Sequence, residues 1–88
     1  MQIKEISYSN HFLRALRKLD RDQKVIVIER EKIFKNNCFD PRLKTHKLGG
    51  KQKKYWSFSI THSYRVLFEF LGKGRVGFID IGDHDIYS

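Results

Sequence analysis

Cysteine, proline and acidic residues are scarce in this chain, and each scarcity removes a class of protein. Its 88 residues include one cysteine, Cys38, and one proline, Pro41. A lone thiol cannot close an intrachain disulfide and has no partner at zinc-finger spacing, so neither a disulfide-stapled fold nor a structural zinc site is available. No apolar run approaches the ~18 residues needed to span a bilayer. The opening Met1-Gln2-Ile3-Lys4-Glu5 lacks the apolar core of a secretory signal. The expectation is a cytoplasmic protein with no membrane contact. A second domain or a repeat does not fit this length, and residues 1–88 are read as one domain with a modest core.

Acids are outnumbered by bases, 10 against 18, giving a formal charge of +8. Such an excess is the electrostatic footprint of a nucleic-acid binder, although acidic lipids or an acidic protein would also answer it. Position therefore matters more than total. Arg42, Lys44, Lys47, Lys51, Lys53 and Lys54 fall within thirteen residues that contain no acid. A one-signed cluster repels itself unless a polyanion neutralises it, so these six are the candidate RNA-binding residues.

Organisation follows from periodicity. Residues Gln2 to Tyr8 read as a first strand. Ser9 offers an N-cap, and Phe12, Leu13, Leu16 and Leu19 recur at helical spacing, predicting a helix from Asn10 to Leu19. Asp20 with Gln23 three positions on resembles a capping box and starts a second helix of about sixteen residues. Asn36-Asn37 and Asp40-Pro41 end it. Cys38 to Lys54 shows no period and is expected to be a long loop. Beyond it, Trp56, Phe58 and Ile60 alternate with serines, Tyr64 to Phe70 alternate again, and so do Ile79 and Ile81, predicting a three-stranded antiparallel meander.

Register can be deduced, because a slip of one residue turns every side chain to the wrong face. A two-residue turn at Lys73-Gly74 sets Phe68 opposite Ile79, Val66 opposite Ile81 and Arg65 opposite Gly82. A three-residue loop, Thr61-His62-Ser63, sets Ile60 opposite Tyr64, Phe58 opposite Val66 and Trp56 opposite Phe68. The apolar face is then to be covered by the two helices, giving an α+β fold in the order β-α-α-β-β-β. The opposite face carries Tyr55, Ser57, Ser59, Arg65, Glu69, Asp80, Gly82 and His84 and is expected to stay open.

On that open face Arg65 and His84 fall on adjacent strands, with the basic loop and His46 arriving nearby. A planar guanidinium holds two phosphate oxygens and stabilises the charge of a phosphorane-like transition state. An imidazole gives or takes a proton near neutrality. RNA carries its own nucleophile, the 2′-OH, so one cation and two proton-transfer groups suffice, and neither a metal nor another cofactor is called for. A plainer reading makes Arg65 a cross-strand partner of Glu69 or Asp80, and takes His11 and His62 as solvent-facing. Asp83-His84-Asp85 is not read as a metal cluster, since successive strand residues point to opposite faces. Gly49-Gly50 and Gly72-Lys73-Gly74 are turn chemistry.

Four segments carry a family resemblance: Leu43-Lys44-Thr45-His46-Lys47-Leu48-Gly49-Gly50, then Tyr55-Trp56-Ser57, then Ile60 through Phe68, then Ile81-Gly82-Asp83-His84-Asp85-Ile86-Tyr87. Together they resemble the RelE/ParE superfamily of type II toxins, in particular its YoeB-like and YafQ-like branches. The resemblance implies the small RelE-like fold and a ribosome-dependent mRNA endonuclease. Such an enzyme cuts in the 30S A site by 2′-OH attack, contacts rRNA, and is silenced by a cognate antitoxin. It also implies the catalytic set. Arg65 matches the strand arginine on the scissile phosphate, His84 the C-terminal catalytic histidine and His46 the loop histidine of the YafQ-like branch. Tyr87 resembles the terminal aromatic that holds a substrate base. There are departures: Arg42 stands where the YoeB-like branch has a glutamate, and Ser59 and Ser63 stand where the YafQ-like branch has a histidine and an aspartate. His46 is taken as base and His84 as acid. Two other readings stay open, a ParE-like toxin acting on DNA gyrase and a non-catalytic basic RNA-binding module.

Overall fold

In the computed structural model, residues 1–83 and Ile86 are described; His84, Asp85, Tyr87 and Ser88 lie outside the described residues. The chain runs β1 (Glu5–Tyr8), α1 (Asn10–Arg17), α2 (Arg21–Asn36), β2 (His46–Lys47), β3 (Trp56–Ser59), β4 (Arg65–Gly72) and β5 (Arg75–Gly82), with 3-10 turns at Pro41–Leu43 and Gly50–Gln52. The class is α+β, as expected, and the five strands form one sheet in the order β1-β5-β4-β3-β2.

Both helices start where their caps dictate. Ser9 Oγ accepts from the Phe12 amide at 2.9 Å and donates to the Ile79 carbonyl at 2.7 Å, so one hydroxyl both caps α1 and fastens it to β5. Asp20 and Gln23 form the reciprocal capping box of α2, at 2.8 and 3.1 Å. The first helix ends at Arg17, two residues before the expected Leu19.

Two expectations about the sheet need correction. It is mixed and not wholly antiparallel, because β1 pairs parallel with β5, Ile6 beside Val76 and Tyr8 beside Phe78. The segment from Cys38 to Lys54 is also not a structureless loop. It makes two 3-10 turns and a two-residue edge strand in which His46 pairs with Ser57 and Lys47 with Trp56. Asp40 caps the first turn and Leu43 buries itself completely in the core, which gives the segment an anchor.

The β3–β4 hairpin has the deduced register: Trp56 opposite Phe68 and Phe58 opposite Val66, with the Ile60 amide donating to the Tyr64 carbonyl at 2.8 Å. The β4–β5 hairpin agrees at its ends only. Gly72 faces Arg75 across a turn in which Lys73 and Gly74 both take positive φ, as a type I′ turn demands, and Arg65 faces Gly82. Between those ends Phe68 faces Phe78, not Ile79. The ladder shifts at Leu67/Phe68 and shifts back at Phe70/Gly72, leaving Ile79 and Leu71 without opposite residues. The shift turns Val76 and Phe78 inward in place of Ile79.

Phe34 of α2 is the centre of the core. Its ring lies 4.6 Å from Phe58, 5.0 Å from Phe68 and 5.4 Å from Phe78, and no part of it is exposed. Phe12 of α1 meets Phe78 at 5.4 Å, so both helices close on the same aromatic row.

Candidate nucleic-acid interface

At the hairpin end of the sheet, Ser59 and Arg65 form a cross-strand pair and Arg65 Nη1 reaches Ser59 Oγ at 3.5 Å. The side chain is half-buried, and its Nε is fully buried with no hydrogen-bond partner among the described residues. An unpaired buried donor costs ~1–3 kcal/mol, so such a group is retained where something else supplies its acceptor.

That guanidinium opens into a concavity of about 290 Å³ lined by Arg30, Arg42, Lys44, Ser59, Ile60, Thr61, His62 and Arg65. Three elements build it. The β3–β4 loop is held by Thr61 Oγ1, which accepts from the Ser63 and Tyr64 amides at 3.3 and 3.0 Å, so the position of His62 is set by its neighbours. The turn Pro41–Leu43 contributes Arg42, followed by Lys44 with φ 52°. Helix α2 contributes Arg30.

Arg42 is oriented by Asp40, its Nε and Nη2 donating to the two carboxylate oxygens at 3.0 and 2.9 Å, while its amide donates to the same carboxylate at 2.9 Å. These hydrogen bonds from the Arg42 side chain, then from its backbone, pull the Asp40 carboxyl down to about 2, and the same pairing pushes Arg42 up. The concavity thus gathers four basic side chains, with the Asp40 carboxylate paired to one of them.

The residues expected from sequence divide. Arg42, Lys44 and Arg65 come together; His46 does not join them. It is exposed on β2, with Nδ1 3.0 Å from the Lys44 carbonyl, outside the lining of this concavity. Lys47, Lys51, Lys53 and Lys54 are exposed on the edge strand and the turn after it, with Lys54 Nζ 5.1 Å from the Tyr55 ring centre. His84 and Tyr87 lie outside the described residues. Asp80, which the plainer reading placed beside Arg65, instead lies with Oδ2 3.2 Å from Nε2 of His11 on α1, and His11, 63% exposed, faces solvent as expected.

Arg30 was not singled out, and His62, read as solvent-facing, is indeed exposed but also lines the concavity. His62 stands three residues before Arg65 in a tight loop, which is a readable signal once the hairpin is drawn. Arg30 had none, being one charge among many on α2. Among the described residues no three side chains of metal-ligating type come together, and no helix is long and apolar enough to cross a membrane.

A short parallel-paired first strand, two helices and a basic segment leading into a meander define the RelE-like toxin fold, and solved structures bear out that class. A YoeB/ParE toxin from Agrobacterium tumefaciens superposes with a TM-score of 0.78 at 20% identity, covering 92% of this chain and 99% of its own. A chain of an archaeal RelE–RelB complex from Pyrococcus horikoshii OT3 gives 0.74 at 14%, covering 94% and 96%. A chain of the E. coli DinJ–YafQ toxin–antitoxin complex gives 0.69 at 19%, covering 98% and 97%. At these identities the likeness is one of fold. No protein-family model matches the sequence, and no curated protein matches it either.

Proposed function

We propose that this chain is the toxin of a type II toxin–antitoxin pair and acts as a ribosome-dependent mRNA endonuclease. The observation that carries the reading is Arg65 lining a concavity that also gathers Arg30, Arg42 and Lys44. A phosphodiester in the concavity meets this positive charge, and the cation is worth more as charge builds on the phosphorus oxygens. The 2′-OH of the RNA attacks that phosphorus, the 5′-oxygen of the next nucleotide leaves, and a 2′,3′-cyclic phosphate results. Proton removal and delivery fall to histidines, with His84 proposed as acid and Tyr87 as the base-stacking aromatic. His46, on the edge strand β2, is proposed as the general base. Lys47, Lys51, Lys53 and Lys54 hold rRNA or mRNA backbone and fix position without chemistry.

An antitoxin partner is supported by the fold neighbours solved with RelB and DinJ. A mostly apolar groove of about 390 Å³ between α1 and α2, with Leu13 and Ile28 exposed on it, offers such a partner contact area. An acidic segment would also meet the +8 charge of the chain.

Expression of the chain alone, followed by mapping of mRNA 5′ ends on translating ribosomes, tests the reading. Discrete cuts in ribosome-bound mRNA, absent with Arg65→Ala, are expected. Intact mRNA with DNA breaks or supercoiling defects would replace it with gyrase inhibition.

A further inference from the structure

Arg30 reaches the Arg65 concavity from a helix, and His62 reaches it from a loop pinned by Thr61; neither has been given a role. We infer that these two residues complete a phosphate-binding pocket, with Arg30 and Lys44 opposing Arg65 around the anion and His62 donating a hydrogen bond at its rim. The ligand class is a phosphate group of a nucleotide, either an internal phosphodiester or a terminal monoester. This deepens the proposed nuclease reading and shares Arg65 with it, but requires binding only.

Three observations support the pocket. The cations come from α2, the Pro41–Leu43 turn with the residue after it, and β4, so the charge density is imposed by the fold and not by a run of sequence. Arg42 is already engaged by Asp40 through two side-chain nitrogens, whereas among the described residues Arg30, Lys44 and Arg65 have no carboxylate hydrogen-bonded to them. A concavity of about 290 Å³ lies just below the ~300–1,000 Å³ range of ligand sites, suiting a phosphate with part of its sugar and not a whole folded partner.

The test follows the Arg65 Nε–H and His62 ring signals by NMR on the full chain. Three probes are added separately: inorganic phosphate, a 2′-deoxy oligonucleotide without terminal phosphate, and the same oligonucleotide with a 5′-phosphate. Saturable movement of both signals is expected. Response to the unphosphorylated strand assigns the diester; response only to the other two assigns the monoester. Arg30→Gln and His62→Gln should each weaken binding, Arg30→Gln by ~10-fold, the order of one hydrogen bond to a charged group. Arg30→Lys should recover part of the loss, and Lys73→Gln, on the distal turn, should bind as the parent does. Signals unmoved by all three probes would overturn the pocket, as would unchanged binding in folded Arg30→Gln and His62→Gln. Binding without any cleavage on ribosomes would keep the pocket and remove the nuclease; cleavage with no role for Arg30 or His62 would do the reverse.

Discussion

The row of rings around Phe34 and the concavity around Arg65 are built from neighbouring stretches of the same strands, yet they satisfy opposite rules. Around Phe34 three rings close in, at 4.6 to 5.4 Å, and no part of it is exposed. Around Arg65 like charges converge and a buried donor goes unpaired. The first arrangement lowers the free energy of the folded chain by itself. The second raises it unless something binds, so stability and function reside in separable places.

Deleting the ring at the centre should break the comparison most thoroughly. Phe34→Ala removes a wholly buried side chain and should cost ~3–5 kcal/mol. Denaturant titration should record that loss, and activity should vanish with the fold. Smaller and opposite in sign is Arg65→Met, which keeps the length but removes the unpaired donor. It should abolish mRNA cleavage while the thermal midpoint holds or rises, by up to ~1 kcal/mol of relieved burial; a clear fall in the midpoint would show that Arg65 stabilises the free protein.

Changing Lys51, Lys53 and Lys54 together to Gln should leave stability within ~0.5 kcal/mol, because all three are exposed. Ribosome affinity should fall, and its log–log salt dependence should flatten by ~2, at ~0.7 per phosphate contact on a single strand. An unaltered slope would limit the nucleic-acid surface to the concavity. The smallest effect belongs to Asp40→Asn. The folded-state carboxyl sits at about 2, below its ordinary ~3.9, so its contribution is present above pH ~4 and is lost as pH falls towards 2. Wild type should therefore be the more stable protein at neutrality, the gap closing in acid. A gap that persists at pH 2 would mean that the carboxylate charge is not its source.

The parts legible in the sequence were those governed by short range. Ser9, Asp20 and Gln23 announced two helix starts because a cap acts within three residues. The β3–β4 register followed from one loop length and an unbroken alternation. The parallel pairing of β1 escaped because nothing in Glu5–Tyr8 names a partner some seventy residues away. A two-residue strand such as His46–Lys47 is too short to show a period. Two offsetting bulges in β4–β5 leave both hairpin ends in the expected register, so only the identity of the buried residues, Val76 and Phe78, betrays them. The candidate site divides in the same way. Arg65 stood out through its alternating strand and its resemblance to a known motif, whereas Arg30 enters only through the packing of α2.

The unmatched residue Ile79 ties that hairpin to the rest of the chain. Its carbonyl, standing outside the regular ladder, receives the Ser9 hydroxyl, and the Phe78 carbonyl beside it receives the Ser9 amide at 3.0 Å. The start of α1 is therefore indexed to an irregularity seventy positions later in the chain. Length changes in the two strands are not equivalent as a result. Loss of Leu71 would disturb the ladder near an exposed turn, but loss of Ile79 would also remove the seat of a helix cap, propagating a one-residue edit in β5 to the opposite end of the sequence.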